Sequence, residues 1–181
     1  RGATGSAGEI GHITVDDRGP VCTCGNVGCL EALAGGRAIA ERAKQTIWNA
    51  NQRTQLSLTS SVDGITAVDV AAAAEKGDLV AQAIITEAGE YLGVAIANLI
   101  NIVNPGMVIV GGGVARMGDL FLEPIRSSVR KRSLEAAVEN LRITAAMLGR
   151  RSTSMGAVVQ ALSIALQNIT ESSSELIKES L

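Results

Sequence analysis

Cys22, Cys24 and Cys29 lie within eight residues in the pattern Cys-x-Cys-x4-Cys, and the only histidine of the chain, His12, stands ten positions before the first of them. Three thiolates and one imidazole make a tetrahedral zinc set. Gly25 and Gly28, between the cysteines, permit the positive-φ turns that gather sulfurs around a metal. The other reading of these cysteines is a disulfide with one thiol left over, or three inert buried thiols. The odd count, the strain of a Cys-x-Cys bridge and the lack of any sign of an oxidising compartment all weigh against it. Because protein ligands take all four positions, the metal's task is structural. Zinc sites in small peptides contribute apparent binding energies of about 10–16 kcal/mol at pH 7, enough to order a glycine-rich loop with little hydrophobic material.

Two carboxylates are tethered to these ligands. Glu9 stands three residues before His12, and Glu31 two after Cys29. A carboxylate accepts hydrogen bonds from two adjacent hydroxyls, which suits a polyol or sugar ring, and an acid beside a metal ligand also orients the imidazole. The plainer readings stay open: Glu31 as a first-turn helix residue favoured by the macrodipole, and Glu9, between Gly8 and Gly11, as a solvent-exposed side chain.

The elements that must position these groups follow in an α/β order. Leu30 through Ala43 has helical apolar spacing that fades near Trp48, and Asn51 to Asp63 is polar connection. Thr66 with Asp69 three residues on predicts a capping box for a short Ala-rich helix ending at Gly77. Asp78 is an N-cap for a helix of about 25 residues that Pro105-Gly106 stops. Met107-Val108-Ile109-Val110, bounded by Gly111-Gly112-Gly113, reads as a buried strand. A helix capped by Asp119 runs to about Lys131, Leu141 to Leu148 is a second strand, and Ser154 to Leu166 a final helix. The division this predicts is a site-bearing loop region over 1–31, a helix-rich body over 32–169 and a polar, fraying tail over 170–181.

Composition narrows the function. The chain has 181 residues, 46% of them hydrophobic, and a net charge of -2, which excludes the strongly basic balance of a direct nucleic-acid binder. With Trp48, Tyr91 and Phe121 as the only aromatics, expected in core or interface packing, recognition must run through polar groups. Leu92 to Val103 is broken by Asn98 and Asn101, so no membrane span is expected. No signal peptide opens the chain, which begins as if in mid-loop and reads as a cytoplasmic fragment. Arg126, Arg130, Lys131 and Arg132 form a basic cluster at a helix C-terminus, read as a solvated face rather than an operator contact.

The run Gly8-Glu9-Ile10-Gly11-His12, followed by Cys22-Thr23-Cys24-Gly25-Asn26-Val27-Gly28-Cys29-Leu30-Glu31, resembles the signature region of the ROK family of repressors, open reading frames and kinases. Asn101-Ile102-Val103-Asn104-Pro105 leading into Val108-Ile109-Val110-Gly111-Gly112-Gly113 is similar to the family's nucleotide-side strand and turn. The resemblance implies the C-terminal lobe of an actin-like, ribonuclease H-like fold. It implies that Glu9, His12 and Glu31 hydrogen-bond a hexose, that His12, Cys22, Cys24 and Cys29 bind zinc, and that Gly111, Gly112 and Gly113 border the adenosine side. A tight strand-to-helix turn is the plainer reading of the glycine triplet. The general-base Asp and the Asp-x-Gly-x-Thr phosphate loop of the family's kinases are absent from these residues, so no catalytic residue is expected here.

Two functions remain. One is the effector domain of a sugar-responsive transcriptional regulator, with DNA contacted only through an upstream domain. The other is the C-terminal lobe of an ATP- and Mg²⁺-dependent hexose kinase. Arg150 to Ala157 looks more like the regulators, which tips the reading toward a regulator. Family resemblance also implies a homo-oligomer.

Overall fold

In a computed structural model the described residues are 2–49, 54, 56 and 61–179, with backbone alone described for 114, 150 and 170–179. The chain divides into two compact units, Arg1–Ala146 and Met147–Leu181.

In the first unit, α1 (Leu30–Ala34) and α2 (Gly36–Asn49) follow the cysteine-rich loop. The single helix expected from Leu30 is broken because Gly35 is extended, with φ -66 and ψ 159. A side chain at Gly35 would strike the Glu31 carbonyl oxygen, 2.4 Å from an ideal Cβ. The chain can turn there only because that atom is missing. Trp48 near the end of α2 is 74% exposed, which leaves only the interface half of its expected core or interface packing open, whereas Phe121 is buried. The polar connection expected over 51–63 lies largely outside the described residues.

Helix α3 (Ala67–Glu75) starts at the predicted capping box: the Asp69 amide donates to Thr66 Oγ1, and the Thr66 amide donates to Asp69 Oδ2 at 2.8 Å. Helix α4 (Leu79–Val103) starts at Asp78, whose carboxylate accepts from the Ala81 amide at 3.0 Å. It ends at Asn104, which takes the left-handed conformation at φ 46 just before Pro105. Among the described residues α4 alone, with an apolar window of mean hydropathy 1.3, is long and apolar enough to cross a membrane. Half of that apolar window is buried, and α4 is the central helix of the core, touching α1, α2, α3 and α5.

Helix α5 (Asp119–Arg132) lies against α4 through small residues. An added Cβ at Gly93 would sit 2.5 Å from Ser128 Cβ, and one at Gly89 3.0 Å from Pro124 Cβ. Ser128 Oγ donates to the Glu90 carbonyl at 3.0 Å, so the close approach also satisfies a buried hydroxyl. Gly118, not Asp119, occupies the N-cap of α5; Asp119 falls in its first turn and accepts from Arg126 at 2.7 Å. Arg126 also donates to the Ile143 carbonyl at 3.0 Å, and Arg130 pairs with Glu123 at 2.6 Å. Arg132 Nε donates to Ser128 Oγ at 3.4 Å, so three members of the basic cluster are engaged in intramolecular contacts.

Strand β1 (Met107–Val110) pairs in parallel with β2 (Arg142–Ala145), Met107 opposite Arg142 and Val110 opposite Ala145. The crossover through α5 and the short α6 (Glu135–Val138) is what a parallel pair requires. β1 is less buried than its apolar run suggests: Val110 is buried, but Ile109 is 61% exposed, because β2 is its only partner among the described residues. In the second unit, α7 (Ser152–Glu179) runs well past the expected end near Leu166.

Candidate functional site

Between Ile10 and Leu30 the chain doubles back through two antiparallel contacts, Thr14 with Cys29 and Val21 with Val27. The Gly25 amide donates to the Cys22 carbonyl at 2.9 Å and the Cys22 amide to that of Asn26 at 2.7 Å, closing the turn that presents Cys22 and Cys24. The Leu30 amide donates to the Ile13 carbonyl at 3.0 Å, joining the His12 segment to the start of α1. Gly28 is the pivot. Its amide donates to the Pro20 carbonyl at 2.8 Å and its carbonyl accepts from Val15 at 2.9 Å. Its φ is +65, and an ideal Cβ would fall 1.5 Å from the Asp16 carbonyl oxygen, so only glycine fits.

This backbone converges the four predicted donors. One nitrogen or sulfur from each of His12, Cys22, Cys24 and Cys29 lies within 4.8 Å of all the others. Cys24 Sγ is 3.6 Å from Cys29 Sγ, and Cys22 Sγ is 3.8 Å from His12 Nδ1. A tetrahedral cation with sulfur bonds of about 2.3 Å and nitrogen bonds of about 2.0 Å has donor–donor edges of about 3.5–3.8 Å. These two separations fit such a centre, the Cys24–Cys29 one is far too long for a disulfide, and all three cysteines are free.

The protonation chemistry points the same way. The Cys24 amide lowers the Cys22 thiol to about 6, with His12 and Cys24 side chains adding to it. Burial pushes the Cys29 thiol up to about 12, and the Cys24 and Cys22 sulfurs reinforce this. His12 is raised, first by its hydrogen bond with Cys22 and then by the charges of Cys22, Glu31 and Glu9. The Cys22 and Cys29 thiols are thus pushed in opposite directions. A cation at their centre removes the conflict, since coordination deprotonates thiols outright. The group can therefore hold a metal ion.

Of the acids, Glu31 is brought to the cluster: its Oε2 lies 3.8 Å from His12 Nδ1. Gly11 lies beside it, a Cβ there falling in ordinary contact 3.6 Å from Glu31 Cβ. Glu9 is exposed and reaches the imidazole through its charge. Glu31 and Cys22 line a cleft of about 500 Å³ with Thr23, Arg37 and Glu41, residues for which the sequence carried no signal. Gly111, Gly112 and Gly113 line a separate cleft of about 540 Å³ with Glu75, Arg116 and Phe121. Gly36, at the start of α2, borders both.

The sequence profile of the ROK family matches residues 1–164. The chain is 39% identical over 163 residues to the xylose repressor of Caldicellulosiruptor bescii, covering 90% of this chain and 41% of the repressor. Among solved structures, it matches a ROK family transcriptional regulator, a homolog of the Escherichia coli MLC protein, with a TM-score of 0.72 and 34% identity over 77% of this chain and 34% of that one. It also matches a ROK family glucokinase from Streptomyces griseus, in complex with glucose and AMPPNP, with a TM-score of 0.70 and 38% identity over 80% of this chain and 48% of that one. The chain belongs to the ROK family. Its fold is the helix-rich α/β arrangement of an actin-like ATPase fold, and it spans less than half the length of these relatives.

Proposed function

We propose that this chain is the sugar-binding, zinc-containing C-terminal portion of a sugar-responsive transcriptional regulator. The observation that carries the sugar site is the meeting of His12 with Glu31 at 3.8 Å on the rim of the four-donor cluster. His12 gives one ring nitrogen to the metal and keeps the other for a hydroxyl. Glu31 and Glu9 accept hydrogen bonds from sugar hydroxyls, Glu31 held by its two-residue tether to Cys29. Three thiolates and an imidazole suit zinc, which supplies structural cross-linking here and no open coordination position. His12, Cys22, Cys24 and Cys29 would hold it.

The ligand is a hexose or a hexose derivative, and the repressor likeness adds xylose to the sugars worth testing. In a regulator the sugar acts by favouring one arrangement of DNA-binding modules that lie elsewhere in the protein. The protein is a cytoplasmic homo-oligomer in this reading. The 39% identity to a repressor over 90% of the chain supports the regulator reading.

The likeness to a glucokinase holding glucose and AMPPNP supports a second reading, the C-terminal lobe of a hexose kinase. There Gly111, Gly112 and Gly113 let the backbone approach ATP with Mg²⁺, and the general base comes from the rest of the protein. One experiment separates the two. The full-length protein is assayed for ATP-dependent phosphorylation of a hexose panel and for sugar-dependent release of DNA. Release without phosphorylation upholds the regulator; phosphate transfer overturns it. Glu31→Gln should weaken sugar binding with zinc retained, and unchanged affinity in both Glu31→Gln and Glu9→Gln would remove the carboxylates from the site.

A further inference from the structure

The four donors are not equally sheltered. Cys22 and Cys29 are buried, with Cys29 fully inaccessible, whereas Cys24 is exposed on the outer turn. The sulfur that solvent reaches first is also 3.6 Å from a second sulfur, that of Cys29. A disulfide between them needs that gap to close to about 2.05 Å, a movement of about 1.5 Å. The six-residue span from Cys24 to Cys29 contains Gly25 and Gly28, and Cys24 is its exposed end. Cys22 is the poorer partner, since a Cys-x-Cys bridge is strained and its sulfur faces His12 at 3.8 Å.

We infer that Cys24 and Cys29 form a peroxide-oxidisable pair whose closure opens the metal site. This rests on the zinc reading above. The Cys24 thiolate attacks hydrogen peroxide; the O–O bond breaks, a sulfenic acid forms, and the departing hydroxide takes a proton to become water. The Cys29 thiolate then attacks the Cys24 sulfur; the S–O bond breaks, the disulfide forms, and the second hydroxide leaves as water after taking a proton. Two thiolates, one peroxide and two protons give one disulfide and two waters, with two electrons passing from sulfur to oxygen. Only His12 and Cys22 remain as protein donors, too few for a closed structural site. Cys29 is the N-cap residue of α1 and Glu31 sits in the first turn, so the disulfide forms two residues from the acid that meets His12.

The test uses the full-length protein purified without chelator. Metal analysis comes first, then a hydrogen peroxide titration followed by a chromogenic zinc indicator, thiol counting and peptide mass mapping. The expected result is release of about one zinc per chain, together with a Cys24–Cys29 disulfide lighter by about 2 Da. Dithiothreitol and added zinc should reverse both changes. Zinc retained with its thiols intact overturns the inference, as does release with Cys24 over-oxidised and Cys29 free, or a disulfide joining any other pair. Zinc missing from the untreated protein overturns the metal reading itself, which keeps the two failures apart.

Discussion

The donor loop and the α4–α5 pair are both built close, but by opposite means. Around the cysteines the buried apolar residues are few, and the backbone is held by short hydrogen bonds and by the four convergent donors. Between α4 and α5 the helices meet over Gly89, Gly93 and Ser128, and Ile85, Ile96, Phe121 and Ile125 are buried in the same core. One region depends on a cross-link, the other on excluded volume. Damage to one should therefore leave the other standing.

The largest effect should come from the cross-link. Chelation, or Cys29→Ala, should remove about one zinc per chain and expose residues 10–29 to protease, while hydrogen exchange in α4 and α5 stays slow. Equal loss of protection in both regions would break the contrast. Gly28→Ala should do the same while keeping every metal ligand, because its Cβ has no room beside the Asp16 carbonyl. Gly93→Ala tests the other side: overpacking should cost about 1–3 kcal/mol in chemical unfolding while zinc content is unchanged.

A smaller effect belongs to the cap of α3. Asp69 lies below the ordinary carboxylate value because the Thr66 hydroxyl and amide donate to it. Its folded pKa is therefore lower than its unfolded one, near about 3.9, so its contribution is complete above that pH and disappears as the pH falls through the folded value. Thr66→Ala should cost about 1 kcal/mol at neutral pH and less once Asp69 is protonated, when only the cap bond from the Asp69 amide to Thr66 Oγ1 is left to lose; urea melts at the two pH values measure the difference.

Much of this was legible in the residues, where local chemistry decides the outcome. Thr66 with Asp69, Asp78 before its apolar helix, and Pro105 after it mark element ends because caps and breakers act within one turn. The donor set was legible because few other roles suit three closely spaced cysteines and one histidine. The break at Gly35 was not legible: helical spacing continues through it, and what requires glycine there is a carbonyl four residues back that a Cβ would strike. Nor was the exposure of Trp48 and Ile109, since a side chain's type does not state whether a neighbour covers it.

The sequence by itself determined which groups are available: the ligand types, the two acids, the capping residues and the apolar runs. It did so because each is a property of side chains and of neighbours a few positions away. The tertiary structure alone decided that Glu31 meets His12 while Glu9 stays in solvent, that the glycine triplet borders a separate cleft, and that Cys24 is the exposed sulfur. Those outcomes depend on how segments far apart in the chain close on one another, which no local preference specifies.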